Sequence, residues 1–105
     1  MPKVTKKELT IIQKRTIDWT FLSNHAHVLI CLYQNSEMLL REVAILVGIT
    51  ERAVQAIVRD LVDAKILLIE KEGRRNRYKI KTDSKLRHPL EENHSIKELL
   101  ALGNR

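Results

Sequence analysis

Residues 40–68 read LREVAILVGITERAVQAIVRDLVDAKILL and contain two segments with helical periodicity on either side of a glycine. Its first apolar residues recur at the spacing of one face of an amphipathic helix: Leu40, Val43, Ala44 and Val47. Gly48 follows, at the place where a helix commonly ends in a left-handed residue that glycine adopts without strain. We therefore predict a helix over residues 39–47 that ends at Gly48.

A second helix is predicted directly after this glycine. Thr50 is a good N-cap, because its hydroxyl can accept a hydrogen bond from the first helical turn. Ile49 and Val54 stand at the two positions of a hydrophobic staple. Over residues 51–64 the apolar side chains again share one face, made of Val54, Ile57, Val58 and Leu61. The opposite face is predicted to meet solvent with Glu51, Arg52, Gln55, Ala56, Arg59 and Asp63.

A basic hairpin is predicted after the second helix. Residues 71–81 read KEGRRNRYKIK and hold six Lys or Arg against one Glu, a formal charge of +5 in a chain of net charge +6. The run 66–69 favours a first strand, Glu72-Gly73 a turn, and residues 77–81 a returning strand. Such a concentration of charge is typical of a nucleic-acid contact, since cations held this close repel one another without an anionic partner.

The returning strand alternates in character. Tyr78 and Ile80 fall on one side, whereas Arg77, Lys79 and Lys81 fall on the other. One face is therefore expected to pack on a core while the other is free to meet phosphate.

Two flanking segments complete the chain. Residues 1–22 are interpreted as a basic arm, in which Leu9, Ile12 and Thr16 would share one face of a short helix. Trp19 and Phe21, near the end of this arm, are predicted to fill the core. Ser23 is expected to cap a helix that runs from Asn24 to about Gln34. Residues 82–105 form a C-terminal extension, in which Ser95 and Glu98 are spaced as a capping box at the start of a short helix.

The predicted helix 24–34 is apolar nearly all round, so both of its sides need a cover. In a chain of 105 residues that fits a single domain, the second cover is either the C-terminal helix or a partner chain. This alternative is our reason to expect a homodimer.

Composition narrows the class of function. The positive charge favours a polyanionic partner, and the sequence carries neither a run of about 20 apolar residues nor a secretory signal, so we expect no membrane partner and a cytoplasmic protein. Cys31 lies in an apolar run and is expected to be a buried, inert thiol.

Catalysis and metal binding are not expected. The sequence shows no phosphate-binding glycine loop and no nucleophile motif. His25 and His27 lie two residues apart, which places them on different faces of a helix, and His88 and His94 are distant in sequence. We therefore predict no enzyme activity, no metal site and no cofactor.

The stretch from LREVAILVGIT through ERAVQAIVRDLVDAKIL to EGRRNRY resembles the winged helix-turn-helix transcriptional regulators, in particular the small bacterial MarR-like and ArsR-like repressors. The resemblance covers residues 23–81 and implies a mainly α fold with a small β-hairpin. In that family the first motif is the positioning helix with its turn, the second is the recognition helix, and the third is the wing, a β-hairpin. The cysteine ligand motif of the ArsR-like metal sensors and the long terminal helices of the MarR-like proteins are missing.

A helix of this kind can enter the major groove of double-stranded DNA and present the side chains of its N-terminal half to base edges. We expect Arg52, Gln55 and Glu51 to contact bases, and Thr50 and Arg59 to contact phosphate. The hairpin residues expected to hold the backbone or enter the minor groove are Arg74, Arg75, Asn76, Arg77 and Lys79.

Two other functions remain open at this point. The fold also serves RNA-binding and protein-interaction modules, so fold alone does not select DNA. A small-molecule effector at a dimer interface could also change the spacing of the two recognition helices, although no distinctive pocket residues indicate one.

Overall fold

The structure, a computed structural model, describes residues 18–104. Within this range it contains four helices and a two-stranded antiparallel sheet. In chain order the elements are α1 (Asn24–Gln34), α2 (Leu40–Val47), α3 (Glu51–Asp63), β1 (Leu67–Glu72), β2 (Arg75–Ile80) and α4 (Ile96–Ala101). The part of the N-terminal arm that precedes Asp18, including Leu9, Ile12 and Thr16, lies outside the described residues.

The ends of the helices lie where the sequence predicts them. Ser23 Oγ accepts a hydrogen bond from the Ala26 N–H at 3.3 Å, and Thr50 Oγ accepts one from the Ala53 N–H at 3.1 Å. Gly48 ends α2 with a φ of 85°, in the left-handed region. Only Ile49 and Thr50 separate this glycine from α3, so the turn between the two helices is tight.

Helix α1 is the centre of the fold, since α2, α3, β2 and α4 all pack against it. Val28 and Leu32, which are almost completely buried, meet Val43 of α2 and Val54 of α3 in one continuous core. The remaining predicted inward residues of α3, which are Ile57, Val58 and Leu61, are also buried. The predicted amphipathic pattern of α3 is therefore confirmed.

Helix α4 covers the second side of α1 within the same chain. Its capping box forms, because Ser95 accepts from the Glu98 N–H and the Glu98 carboxylate accepts from the Ser95 N–H. Ile96 and Leu100 are buried in the core that α1 provides, and the Gln34 side chain donates to the Gly103 carbonyl at 2.6 Å. Since α4 supplies the cover, the apolar character of α1 no longer requires a partner chain.

The hairpin is longer than the sequence predicts. Its strands pair from Leu67 with Ile80 to Glu72 with Arg75, and Gly73 and Arg74 form a two-residue turn. Gly73 has a φ of 61°, as the first central position of a tight hairpin turn of type II′ requires. The predicted strands, 66–69 and 77–81, were too short at the tip because the charged residues there form ladder hydrogen bonds despite their low β-propensity.

Only the base of the hairpin is anchored in the core. Leu67 and Tyr78 are buried, and the Tyr78 N–H donates to the Ser36 carbonyl in the turn between α1 and α2 at 2.8 Å. Ile80 is half-buried, so the predicted alternation of the returning strand is confirmed.

The prediction that Trp19 and Phe21 fill the core is wrong. Their exposed fractions are 70% and 93%, and the two rings contact each other edge to face with 4.9 Å between centroids. They precede the cap of α1, whose buried sides are already packed by the other helices and by β2.

Within residues 18–104, no helix is both long enough and apolar enough to cross a membrane.

Candidate nucleic-acid interface

The polar face of α3 is open to solvent along its whole length. The six residues predicted on this face are all exposed, namely Glu51, Arg52, Gln55, Ala56, Arg59 and Asp63. The four buried residues on the opposite side fix the rotation of the helix, so these side chains point away from the core. Thr50, a predicted phosphate contact, is exposed, and its hydroxyl accepts the hydrogen bond that caps α3.

The tip of the hairpin lies beside the beginning of α3. A groove of about 410 Å³ is lined by Glu51 of α3 and by Arg74, Arg75 and Asn76 of the hairpin. Of the ten predicted site residues, these four are brought together around one space. Arg52, Gln55 and Arg59 follow on the exposed face of α3, outside the lining of the groove.

Arg41 is a residue of this surface that the sequence did not indicate. It lies in the first turn of α2, is exposed, and lines the same groove as the hairpin tip. A cation at this position is unremarkable in the sequence, because only the tertiary fold places it on the groove that Arg74 and Arg75 line. No local signal could have revealed it.

The hairpin also contains acids that oppose its arginines. The register places Glu70 across from Arg77 and Glu72 across from Arg75. The Arg77 guanidinium donates to the Glu72 carboxylate, with 3.3 Å between Nη1 and Oε1. The hairpin therefore offsets part of the charge of its cations with two carboxylates of its own.

Lys79 and Arg77 nevertheless stay accessible. Arg77 keeps 47% of its side chain exposed while it contacts Glu72, and Lys79 is exposed opposite Leu68. All five hairpin residues predicted to contact DNA are thus exposed to solvent, including Arg74 in the turn.

A second and larger groove, of about 690 Å³, shares no lining residue with the first. Its floor is apolar, with Leu29, Leu61 and Ile96, and its edge carries Arg87 and Glu91. On the same groove, His25 Nε2 lies 2.9 Å from Asp60 Oδ2 and links the first turn of α1 to α3. These residues give a reference surface on the same molecule that is separate from the hairpin tip.

Two ionisable groups outside both grooves, Cys31 and Glu98, have shifted pKa values. Burial raises the pKa of the Cys31 thiol to about 11, so the thiol is protonated and unreactive near neutral pH. Hydrogen bonds with His94 and with the Ser95 backbone lower the pKa of Glu98, which completes the cap of α4 as a carboxylate. Across residues 18–104, no three His, Cys, Asp or Glu side chains gather as a metal site requires.

Comparison with known proteins found no match to this chain among protein-family models, curated proteins or solved structures.

Proposed function

We propose that the protein is a sequence-specific, double-stranded DNA-binding regulator of transcription with a winged helix-turn-helix architecture. In this proposal α2 and α3 are the helix-turn-helix, α3 is the recognition helix, and the hairpin β1–β2 is the wing. The observation that carries it is the shared groove in which the N-terminal end of α3 meets the arginines of the hairpin tip. A protein that reads one face of a duplex needs this combination of a reading element and a holding element.

The reading element is the N-terminal half of α3. Arg52 and Gln55 are exposed there on a helix whose rotation the core fixes. Arginine can pair bidentately with guanine and glutamine with adenine in the major groove, and Glu51 can accept from cytosine. These three residues are proposed to set the base preference.

The holding element combines the hairpin with two further exposed cations, Arg41 and Arg59. Arg74 and Arg75 lie beside Arg41 on the groove, and Arg59 lies further along α3. Contacts from such side chains to phosphate carry affinity and no sequence information. They are also the contacts that dissolved salt weakens, because each one releases condensed counterions.

We further propose that the regulator acts in the cytoplasm as a homodimer. Two recognition helices would then enter successive major grooves, with half-sites about one helical turn apart. Selection of bound duplexes from a random pool would show this as a two-fold symmetric site, and a mass measurement in solution would give the number of chains.

The decisive experiment compares Arg74→Ala with Arg87→Ala by fluorescence anisotropy on random duplex DNA at several salt concentrations. Arg74 lines the groove beside α3, whereas Arg87 lines the separate larger groove, and both are exposed arginines. We expect Arg74→Ala to weaken binding on all duplexes and to flatten the slope of log Kd against log salt by about one unit. Arg87→Ala should leave that slope unchanged, and equal effects of the two variants would contradict the proposal.

Duplex RNA and single strands of the same sequence serve as competitors in the same assay. Preference for RNA would favour the alternative function, an RNA-binding winged helix that uses the same basic hairpin. The absence of binding to any nucleic acid would overturn the proposed function and favour the protein-interaction module that the same fold also serves.

A further inference from the structure

The charged face of the hairpin is close to neutral within itself. Side chains of directly paired residues lie on the same face of a sheet, about 5 Å apart at Cβ. The paired register therefore gathers two carboxylates, Glu70 and Glu72, among three cations on one face: Arg75, Arg77 and Lys79. Arg74 lies in the turn, outside the paired register.

One of these acids holds an arginine directly. Glu72 Oε1 accepts from Arg77 Nη1 at 3.3 Å, across a diagonal of the ladder. Both side chains are about half exposed, at 55% for Glu72 and 47% for Arg77. An ion pair this open to water contributes little to stability, so a phosphate oxygen that approaches the same guanidinium can displace the carboxylate.

We propose that Glu70 and Glu72 are internal competitors for the phosphate-contacting arginines and thereby limit the sequence-independent affinity of the protein for DNA. The inference rests on the proposed function and names how its holding element is regulated. When Arg77 binds phosphate, it gives up its contact with Glu72. The net gain in binding free energy is therefore smaller than for an arginine that forms no ion pair in the free protein. Affinity on random DNA is then held down, and discrimination is left to the exposed face of α3.

The contrast between Arg74 and Arg77 follows from the same geometry. In the wild-type chain, Arg74→Ala should weaken binding to random duplex more than Arg77→Ala does, because the Glu72 carboxylate already holds Arg77 in an ion pair. Arg74 lines a groove with Glu51 and Glu37, but within residues 18–104 it forms no ion pair. Once Glu72 is neutralised, the effect of Arg77→Ala should rise towards that of Arg74→Ala.

The main test is Glu72→Gln against Glu91→Gln, measured by anisotropy on random duplex across a salt series. Both changes remove one negative charge from an exposed side chain, but Glu91 lies on the separate larger groove. We expect Glu72→Gln to bind about three- to tenfold tighter, as the removal of one competing charge contact allows. The salt slope should steepen by up to about one unit as a further phosphate contact forms. Glu91→Gln should change affinity less than about twofold, since Glu91 lies on a groove that shares no lining residue with the hairpin tip and salt screens exposed charges.

A double-mutant cycle shows whether Glu72 acts through Arg77. The gain from Glu72→Gln should largely disappear in an Arg77→Ala background, whereas a general effect of net charge would persist there. Equal gains from Glu72→Gln and Glu91→Gln, or a gain that survives Arg77→Ala, would overturn this inference and leave DNA binding intact. Failure of the folded wild-type chain and of all variants to bind any duplex would overturn the proposed function, and the inference with it.

Discussion

Helix α3 and the hairpin β1–β2 follow each other in the chain and differ in how they are held and charged. Helix α3 buries a stripe of four residues, and its charged residues, all exposed, are two arginines and three acids, the third acid being Asp60. The hairpin buries only Leu67 and Tyr78, yet between residues 67 and 80 it carries five cations against two acids. Helix α3 is fixed firmly and carries a net charge of −1, whereas the hairpin is anchored at one end and carries a net charge of +3.

This division separates two properties that a nucleic-acid reader needs. A helix whose rotation is fixed by the core can present the same side chains each time, which is a requirement for base discrimination. A cationic hairpin can supply attraction over several ångströms without exact geometry. Under the proposed function, we expect changes on α3 to alter which DNA sequence is bound, and changes on the hairpin to alter how tightly any sequence is bound.

The largest effect is expected at the anchor of the hairpin. Leu67 is completely buried, whereas its neighbour Leu68 is 54% exposed. Leu67→Ala should lower the free energy of unfolding by about 2–5 kcal/mol, because a buried leucine loses both its transfer free energy and its packing. Leu68→Ala should change it by about 0.5 kcal/mol or less.

Urea denaturation followed by far-UV circular dichroism measures both variants. The two substitutions remove the same atoms one residue apart, so any difference reports which face of β1 meets the core. If Leu67→Ala and Leu68→Ala lowered the free energy of unfolding equally, the hairpin would not pack on the core through the face that carries Leu67. The contrast with α3 would then disappear.

Much of this fold could be predicted from local sequence. The caps at Ser23, Thr50 and Ser95 and the glycine at residue 48 are read directly, since each depends on a few neighbouring residues. The placement of Trp19 and Phe21 could not be read this way. Large apolar residues next to a helix cap suggest burial, but whether core space is left for them depends on α4, more than 70 residues further along the chain.

The candidate site divides in the same manner. Periodicity alone placed Arg52, Gln55 and Arg59 on the solvent side of α3. The contribution of Arg41 and the opposition of Glu72 to Arg77 depend on tertiary placement and on strand register. The count of charges over residues 71–81 also leaves out Glu70. Strand pairing places this residue on the same face of the hairpin as Arg75 and Arg77.

A smaller effect is expected on base preference. Gln55→Ala removes a side chain proposed to contact a base and should reduce discrimination at one base pair by about 1–3 kcal/mol. Asp63→Ala, at the other end of the same exposed face, is the control and should leave the preferred sequence unchanged. The check is a selected duplex compared with its single-base variants; an identical ranking for wild type and Gln55→Ala would remove Gln55 from the reading residues.

The smallest effect lies at the junction between the two elements. After α3, Lys65 adopts a φ of 62°. Within residues 18–104 it is the single non-glycine residue with a positive φ. The turn it makes is a Schellman motif, in which the Ile66 N–H donates to the Leu61 carbonyl at 3.0 Å and the Lys65 N–H donates to the Val62 carbonyl at 2.9 Å. At the end of α2, glycine occupies the left-handed position instead, with a φ of 85° at Gly48.

Lys65→Gly should therefore stabilise the protein by about 1 kcal/mol, because a left-handed backbone strains any residue with a Cβ. Lys65→Ala is the matched control, since it removes the same charge and keeps the strain. The difference between the two variants in urea denaturation isolates the backbone contribution from the loss of a cation near the end of α3. If glycine and alanine gave equal stabilities, Lys65 would not be held in the left-handed conformation, and the path from α3 into the hairpin would differ from the one described.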